Sequence, residues 1–204
     1  MSALHIPEQC GVMLLPDCTL FPHGGMPLFI FEQRYRDLLE EALEADCLFA
    51  VTRLLGEEGP DPGSCAAPVG TVGLIRASRE QPDGNSQLLL QGVIRVRFLE
   101  WLDGKSFPYA RIEPLVSDST TTKVAEAMTL HLRDAVEEAS DQFPEPVRGP
   151  LREMTNKTAD PVILTDIISQ QFIQDPDERQ SMLETASLSE RVARLCQLLA
   201  KGPG

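Results

Sequence analysis

The tripeptide Gly104-Lys105-Ser106 has the residue types that end a phosphate-binding loop. Such a loop also needs a glycine five positions before its last glycine, and Leu99 stands there instead. It further needs a following helix whose N–H groups face the phosphates, whereas Phe107-Pro108 come next inside a predicted strand. The sequence therefore predicts a β-turn with an exposed lysine, and no nucleotide or other cofactor.

A serine protease with a lysine general base needs a lysine in a buried, desolvated place, where its pKa falls. The chain has only four lysines, on a predicted turn, at predicted helix ends and in the tail: Lys105, Lys123, Lys157 and Lys201. Neither a G-x-S-x-G elbow nor an H-E-x-x-H motif occurs in the sequence. We therefore predict no catalytic residues, and that the chain hydrolyses neither ATP nor casein.

Five cysteines and three histidines are scattered along the chain. Cys10, Cys18 and His23 lie close together in sequence, but there is no C-x-x-C pair and no obvious fourth ligand. An odd, scattered set of cysteines is typical of reduced thiols. The sequence therefore predicts no metal site.

Four arginines are candidates for a basic patch on a sheet: Arg76, Arg95, Arg97 and Arg111. Alternation of apolar residues over 94–98 predicts that Arg95 and Arg97 face outward, and Arg111 would share that face across a hairpin. Such a face could bind an acidic peptide or RNA. The other interpretation is a set of cross-strand ion pairs with Glu100 and Glu113. A net charge of −13 makes nucleic acid an improbable partner, because an acidic chain repels phosphates.

The elements that would position these residues fall into two parts, 1–115 and 116–204. The first part predicts about six strands and one helix: strands at 12–15, 28–31, 48–54, 69–79, 87–102 and 107–113, and a helix at 32–46. Gly70 and Gly73 indicate bulges or a close approach of backbones, and Gly92 indicates a break or bend in the long strand 87–102. Long strands with glycine bends predict a small, partly open barrel.

The second part follows a polar linker at 116–122 and has helical periodicity. Asp160-Pro161 has the residues that open a helix, and Asp175 and Glu178 have the spacing of a capping box. About five helices are predicted, including a short one at 147–156 and a last one with the apolar stripe Leu188, Val192, Leu195 and Leu199. The fold class predicted for the whole chain is α+β.

Several segments occur in an order that resembles the N-terminal domain of Lon proteases. They are 11–35, the strand Val69-Gly70-Thr71-Val72-Gly73, the strand 90–98, and the helical stretch 159–199 that ends in E-R-V-x-R-L-x-x-L-L. The resemblance implies a pseudouridine-synthase-and-archaeosine-transglycosylase-like (PUA-like) β-barrel followed by a helical bundle. We expect a free-standing member without ATPase and protease parts, the alternative being an N-terminal fragment of an ATP-dependent Lon protease.

The same resemblance implies a non-catalytic module that binds unfolded or degron-bearing polypeptides or partner proteins. The alternative is a PUA-like RNA-binding protein. Candidate binding residues are Phe21, Met26, Phe31 and Tyr35, with the loops 21–26 and 56–68 as rims, although these residues could equally pack in the core. No run approaches the about 20 apolar residues of a membrane helix, and no signal peptide precedes residue 10, so a cytoplasmic location is expected. The oligomeric state stays open.

Overall fold

Six strands and one α-helix build the described part of the first unit, which ends at Leu115. They are β1 (Gln9–Pro16), β2 (Gly25–Ile30), α1 (Gln33–Glu44), β3 (Leu48–Leu54), β4 (Val69–Glu80), β5 (Ser86–Leu102) and β6 (Tyr109–Pro114). The structure is a computed structural model, and it describes residues 5–118, 121–140, 153 and 155–201. The predicted α+β class is confirmed, because helices make up the described part of the second unit.

Five of the strands close into a ring. β5 pairs with β4, β4 with β3, β3 with β1, β1 with β6, and β6 again with β5. The β1–β3 pair is parallel and the others are antiparallel. β2 pairs only with the first half of β5, from Gly25 opposite Gln91 to Ile30 opposite Ser86. The sequence predicts a partly open barrel, whereas five strands close into a ring through the β5–β6 pair and β2 lies outside that ring.

The first half of β5 lies between β2 and the second half of β4. We call this three-stranded extension the wing: residues 25–30, 86–91 and 74–80. The register of β4 and β5 shifts near Gly92 and again after Ile75, which bends the wing away from the ring. A Cβ at Gly92 would lie 2.1 Å from the carbonyl oxygen of Phe21. Glycine at this position thus permits a close backbone approach, whereas the sequence predicts only a break or bend of the strand here.

Two apolar clusters lie on opposite faces of β1 and β3. Val12 and Ala50 belong to one cluster, together with Val72 of β4 and Val96 of β5. Met13, which follows Val12, and Phe49, which precedes Ala50, belong to the second cluster. The buried side of α1 covers this second cluster with Tyr35, Leu38, Leu39 and Ala42. The alternation follows from the two-residue period of strands.

The second unit begins at Val116 and contains, among its described residues, α2 (Thr122–Ser140), α3 (Pro161–Phe172), α4 (Pro176–Glu184) and α5 (Leu188–Lys201). The predicted caps are present: Asp160 accepts from Val162 N–H and Asp175 from Glu178 N–H, both at 2.8 Å. The predicted stripe on α5 is buried. The short helix predicted at 147–156 lies largely outside the described residues. Among the described helices, none has both the length and the apolarity to cross a bilayer.

Candidate functional site

The turn that contains Gly104-Lys105-Ser106 joins β5 to β6 and is attached to α1. Lys105 forms an ion pair with Glu41. The Ser106 hydroxyl donates to Asp37 Oδ2 at 2.6 Å, and this bond, with a second from Gln33, lowers the pKa of Asp37. A strand rather than a helix follows the turn, so the geometry is that of a hairpin and not of a phosphate-binding loop.

The cysteine and histidine side chains do not converge. The described residues contain no group of three or more His, Cys, Asp or Glu side chains placed to hold a metal ion. All five cysteines are free thiols. Burial raises the pKa of the Cys10 thiol to about 12, so this sulfur stays protonated and unreactive at neutral pH.

Three of the four predicted binding residues lie in the interior. Phe21, Met26 and Tyr35 are buried, and only Phe31 is exposed, at 58%. Met26 and Tyr35 belong to the cluster under α1. The apolar residues of the 21–26 loop therefore close the barrel, which is the core-packing alternative that the sequence left open.

The loop between β1 and β2 also explains why Arg95 does not face solvent. Its Leu20 carbonyl accepts a hydrogen bond from the Thr71 hydroxyl at 2.6 Å, and Thr71 pairs with Arg95 across the β4–β5 ladder. The Arg95 guanidinium lies 5.9 Å from the ring centre of Phe21. The prediction that Arg95 faces outward is wrong, because its side chain is only 3% exposed and its guanidinium lies beside the Phe21 ring of this loop.

The two arginines of the β5–β6 hairpin pair with acidic neighbours. Arg97 is 4.0 Å from Glu113, and Arg111 is 3.3 Å from Glu100, each directly across the ladder. These are the cross-strand pairs of the alternative interpretation. Arg76 lies elsewhere, at the β4 bulge between Ile75 and Ala77. The four arginines therefore do not form one unpaired basic face.

An exposed apolar surface instead lies on the outer face of the wing. The register places Phe29, Gln87 and Arg79 in one row across the three strands. Pro27, Leu89 and Ala77 form the next row. Phe29 is 51% exposed and Leu89 is 43% exposed. We call this outer face the wing groove; its volume is about 500 Å³, and its lining includes residues of both rows.

Phe31 extends this surface at the end of β2. Its ring stacks on that of Phe29, with 6.2 Å between the centroids. Arg36 of α1 holds the backbone here, because its guanidinium donates twice to the Phe31 carbonyl, at 2.9 and 3.1 Å. The same guanidinium donates to Asn85 Oδ1 at 3.1 Å in the β4–β5 turn. The two exposed rings are thus presented by a fixed corner rather than by a free loop.

The free edge of β2 is interrupted by a proline. Gly92 N–H donates to the Gly24 carbonyl, so ladder alternation turns the main-chain groups of residues 25, 27 and 29 away from β5. Pro27 stands in the middle of this outer edge and has no N–H to offer. Prolines at such positions oppose the addition of another strand. The face of the wing is therefore better suited to binding than its edge.

Phe29 and Leu89 are not among the binding residues that the sequence predicts. Every residue from Met26 to Phe31 is apolar, so alternation could not assign one side of β2 to solvent. The run Gln87 to Gln91 carries a signal that could have found this surface. Leu89 lies between Gln87 and Gln91, and alternate residues of a strand share one face, so the two glutamines indicate that Leu89 faces solvent. Knowledge that Pro27 of β2 pairs with Leu89 would have placed Phe29 on the same exposed face.

The sequence matches known proteins along most of its length. Residues 9–201 match the family model of the ATP-dependent protease La (LON) substrate-binding domain. The chain is 28% identical over 204 residues to the Lon protease of Trichlorobacter lovleyi, covering 97% of this chain and 24% of that protein. It is 28% identical over 206 residues to Lon protease 1 of Thermus thermophilus, covering 95% and 24%. The chain spans about a quarter of the length of these curated relatives.

Solved structures share the fold. The N-terminal domain of a Mycobacterium avium complex Lon protease superimposes with a TM-score of 0.74 at 15% identity, covering 94% of this chain and 98% of that one. A Lon N-terminal domain protein from Xanthomonas campestris gives a TM-score of 0.64 at 20% identity, covering 96% and 99%. With the family model matched over residues 9–201, the chain belongs to the family of LON substrate-binding domains.

Proposed function

We propose that this chain binds segments of unfolded polypeptides without cleaving them, and that it does so through the wing groove. The observation that carries the proposal is the stacked, exposed pair Phe29 and Phe31 beside Leu89. Large apolar side chains that share an exposed face are typical of a protein-binding surface. The description of the family as substrate-binding agrees with this role.

The chemistry of the groove suits an unfolded chain. Such a chain offers apolar side chains that a folded protein keeps inside, and the two phenylalanine rings would remove them from water. Contact through side chains needs no main-chain pairing, so Pro27 on the β2 edge does not interfere. Recognition by a shallow apolar face also fits a module that accepts many sequences.

Binding to reduced, carboxymethylated α-lactalbumin, a permanently unfolded protein, tests the proposal. We expect the double variant F29T/F31T to lose at least about ten-fold in affinity, since two exposed aromatic contacts are removed. Threonine keeps the strand propensity at residue 29. Fluorescence anisotropy of the labelled ligand measures the affinity.

The matched control is V124A/L130A on α2, which also shortens two exposed apolar side chains, 44% and 58% exposed. We expect its affinity to stay within about two-fold of that of the unchanged chain. Equal losses in both double variants, or an unchanged affinity of F29T/F31T, would rule out the wing groove. The absence of binding by the unchanged chain would rule out the function itself.

A further inference from the structure

Two arginines on the wing differ from the other arginines that the structure describes. Arg76 and Arg79 are exposed and make no hydrogen bond or ion pair with described residues. The other described arginines contact a carboxylate, a carbonyl, a hydroxyl or another group of the protein; they are Arg34, Arg36, Arg53, Arg95, Arg97, Arg111, Arg133, Arg179, Arg191 and Arg194. In a chain of net charge −13, two exposed arginines on one strand without an acidic partner among the described residues are unexpected on solubility grounds alone.

The register places Arg79 at one end of the row whose other end is Phe29. Gln87 of β5 lies between them. Neighbouring strands are about 4.8 Å apart, so the backbones at residues 29 and 79 are about 10 Å apart across the wing. An extended peptide covers that distance in about three residues. Arg76 is the bulged residue three positions earlier on the same strand.

From this juxtaposition we infer that the wing groove selects extended segments in which an acidic side chain lies about three residues from an aromatic or branched apolar one. The inference rests on the proposed function and names its substrate class. The apolar side chain contacts Phe29 and Phe31, and the carboxylate binds the guanidinium of Arg79, with Arg76 adding positive charge. Guanidinium groups bind carboxylates through paired hydrogen bonds, which gives direction as well as attraction.

The charge of the rest of the chain makes the two arginines decisive. A segment with carboxylates is repelled by a chain that has 31 acidic and 18 basic residues. Without Arg76 and Arg79 the groove would favour neutral or basic apolar segments. A second copy of this chain is a poorer occupant, because two chains of the same large negative charge repel each other.

Two labelled, amidated peptides separate the contributions of charge and of apolar contact. Both peptides contain the segment Phe-Val-Phe, followed about three positions later by two variable residues. The variable residues are Glu in one peptide and Gln in the other. We expect the unchanged chain to bind the Glu peptide about five-fold more tightly than the Gln peptide, and the ratio to fall as salt is added. In R76Q/R79Q the ratio should fall to one or below, with the affinity for the Gln peptide unchanged within about two-fold.

The matched control is R97Q/R111Q, which changes the net charge by the same amount at arginines that already pair with glutamates. We expect it to keep the five-fold ratio. A ratio of one in the unchanged chain, or a ratio that survives in R76Q/R79Q, overturns the inference. A ratio that falls equally in both double variants also overturns it, because net charge alone would then explain the preference.

The Gln peptide distinguishes this inference from the proposed function. If it binds the unchanged chain and loses affinity in F29T/F31T while the Glu-to-Gln ratio is one, the groove binds polypeptide without selecting acids. If neither peptide binds the unchanged chain, the proposed function and this inference both fail.

Discussion

The guanidinium of Arg95 lies 5.9 Å from the ring centre of Phe21, and both side chains are buried. The sequence predicts each of them for a different binding surface, one apolar and one basic. In the structure they contact each other beneath the loop between β1 and β2. A cation over an aromatic face is attracted by about 0.5–2 kcal/mol, more strongly when the pair is removed from water. The contact therefore joins two side chains that are both removed from solvent.

Replacement of Phe21 by alanine should destabilise the fold rather than weaken binding directly. Phe21 is fully buried, and such a truncation typically lowers the free energy of unfolding by about 3–5 kcal/mol. Urea unfolding followed by fluorescence of Trp101, the only tryptophan, measures the effect in the first unit. Replacement of the exposed Phe29 by alanine should lower the free energy of unfolding by less than about 1 kcal/mol. A stable F21A with lost polypeptide binding would restore Phe21 to the binding surface.

Tyr35 forms hydrogen bonds with the backbone of β1 beyond the point where β1 stops pairing with β6. That pairing covers Gln9 to Gly11. Farther along, the Tyr35 hydroxyl donates to the Leu14 carbonyl at 3.1 Å and accepts from the Leu14 N–H at 3.2 Å. One side chain thus satisfies both polar groups of a buried strand residue.

The change Y35F should therefore lower the free energy of unfolding by about 1–3 kcal/mol, because a buried donor and acceptor lose their partner. The matched change is Y109F, since the Tyr109 hydroxyl makes no hydrogen bond with described residues, and it should leave stability nearly unchanged. Equal midpoints for the two variants in urea would contradict this role. Affinity for unfolded α-lactalbumin should be the same in both variants at temperatures where they are folded.

Much of the architecture could be predicted because its signals are local. Glycine and proline mark the turns, and two-residue alternation marks the strands. The side chains of Asp160 and Asp175 have the spacing of helix caps, and both make the expected hydrogen bonds. Such signals need only neighbours in sequence, so a single chain carries them.

The exposed surface could not be predicted, because it depends on contacts between distant segments. Arg95 has the alternation of an outward residue, but the loop that covers it comes from about 75 positions earlier in the chain. Phe29 belongs to a strand that is apolar on both sides, so only its pairing with β5 shows which side is free. The β5–β6 pairing, in contrast, belongs to a hairpin that the sequence does predict. Closure of the ring also needs the long-range pairing of β1 with β6, and the sequence predicts a partly open barrel instead.

The buried thiol of Cys10 makes stability fall in alkaline solution. Burial raises its pKa to about 12 in the folded chain from a usual value near 9. The contribution of this group is therefore complete below pH 9, and it declines as pH rises from 9 to 12, because only the unfolded thiol ionises there. The decline is about 1.4 kcal/mol per pH unit over that window.

The variant C10A should show a shallower loss of stability between pH 9 and 12 than the unchanged chain, measured by urea unfolding at each pH. Tyr35, whose pKa burial also raises to about 12, keeps some slope in both proteins. In the folded chain at pH 8, Cys10 should resist alkylation by iodoacetamide, as mass spectrometry of peptides would detect. Parallel pH profiles for the two proteins, or rapid alkylation of Cys10, would contradict its burial.

The ion pairs of the β5–β6 hairpin lead to a last prediction, about nucleic acid. Arg97 and Arg111 each lie opposite a glutamate across the ladder, Glu113 and Glu100, and these carboxylates lower the positive potential that a phosphate would meet. We therefore expect no binding of a labelled structured RNA at low salt. The variant E100Q/E113Q releases both arginines and should gain at most weak RNA binding. The logarithm of its association constant should fall with the logarithm of the salt concentration with a slope of about −2. Tight RNA binding by the unchanged chain, abolished in R97Q/R111Q, would reverse the conclusion and favour the RNA-binding alternative. The variant R97Q/R111Q therefore separates RNA binding from peptide binding. It should not change the Glu-to-Gln affinity ratio of the wing groove, for which it is the control.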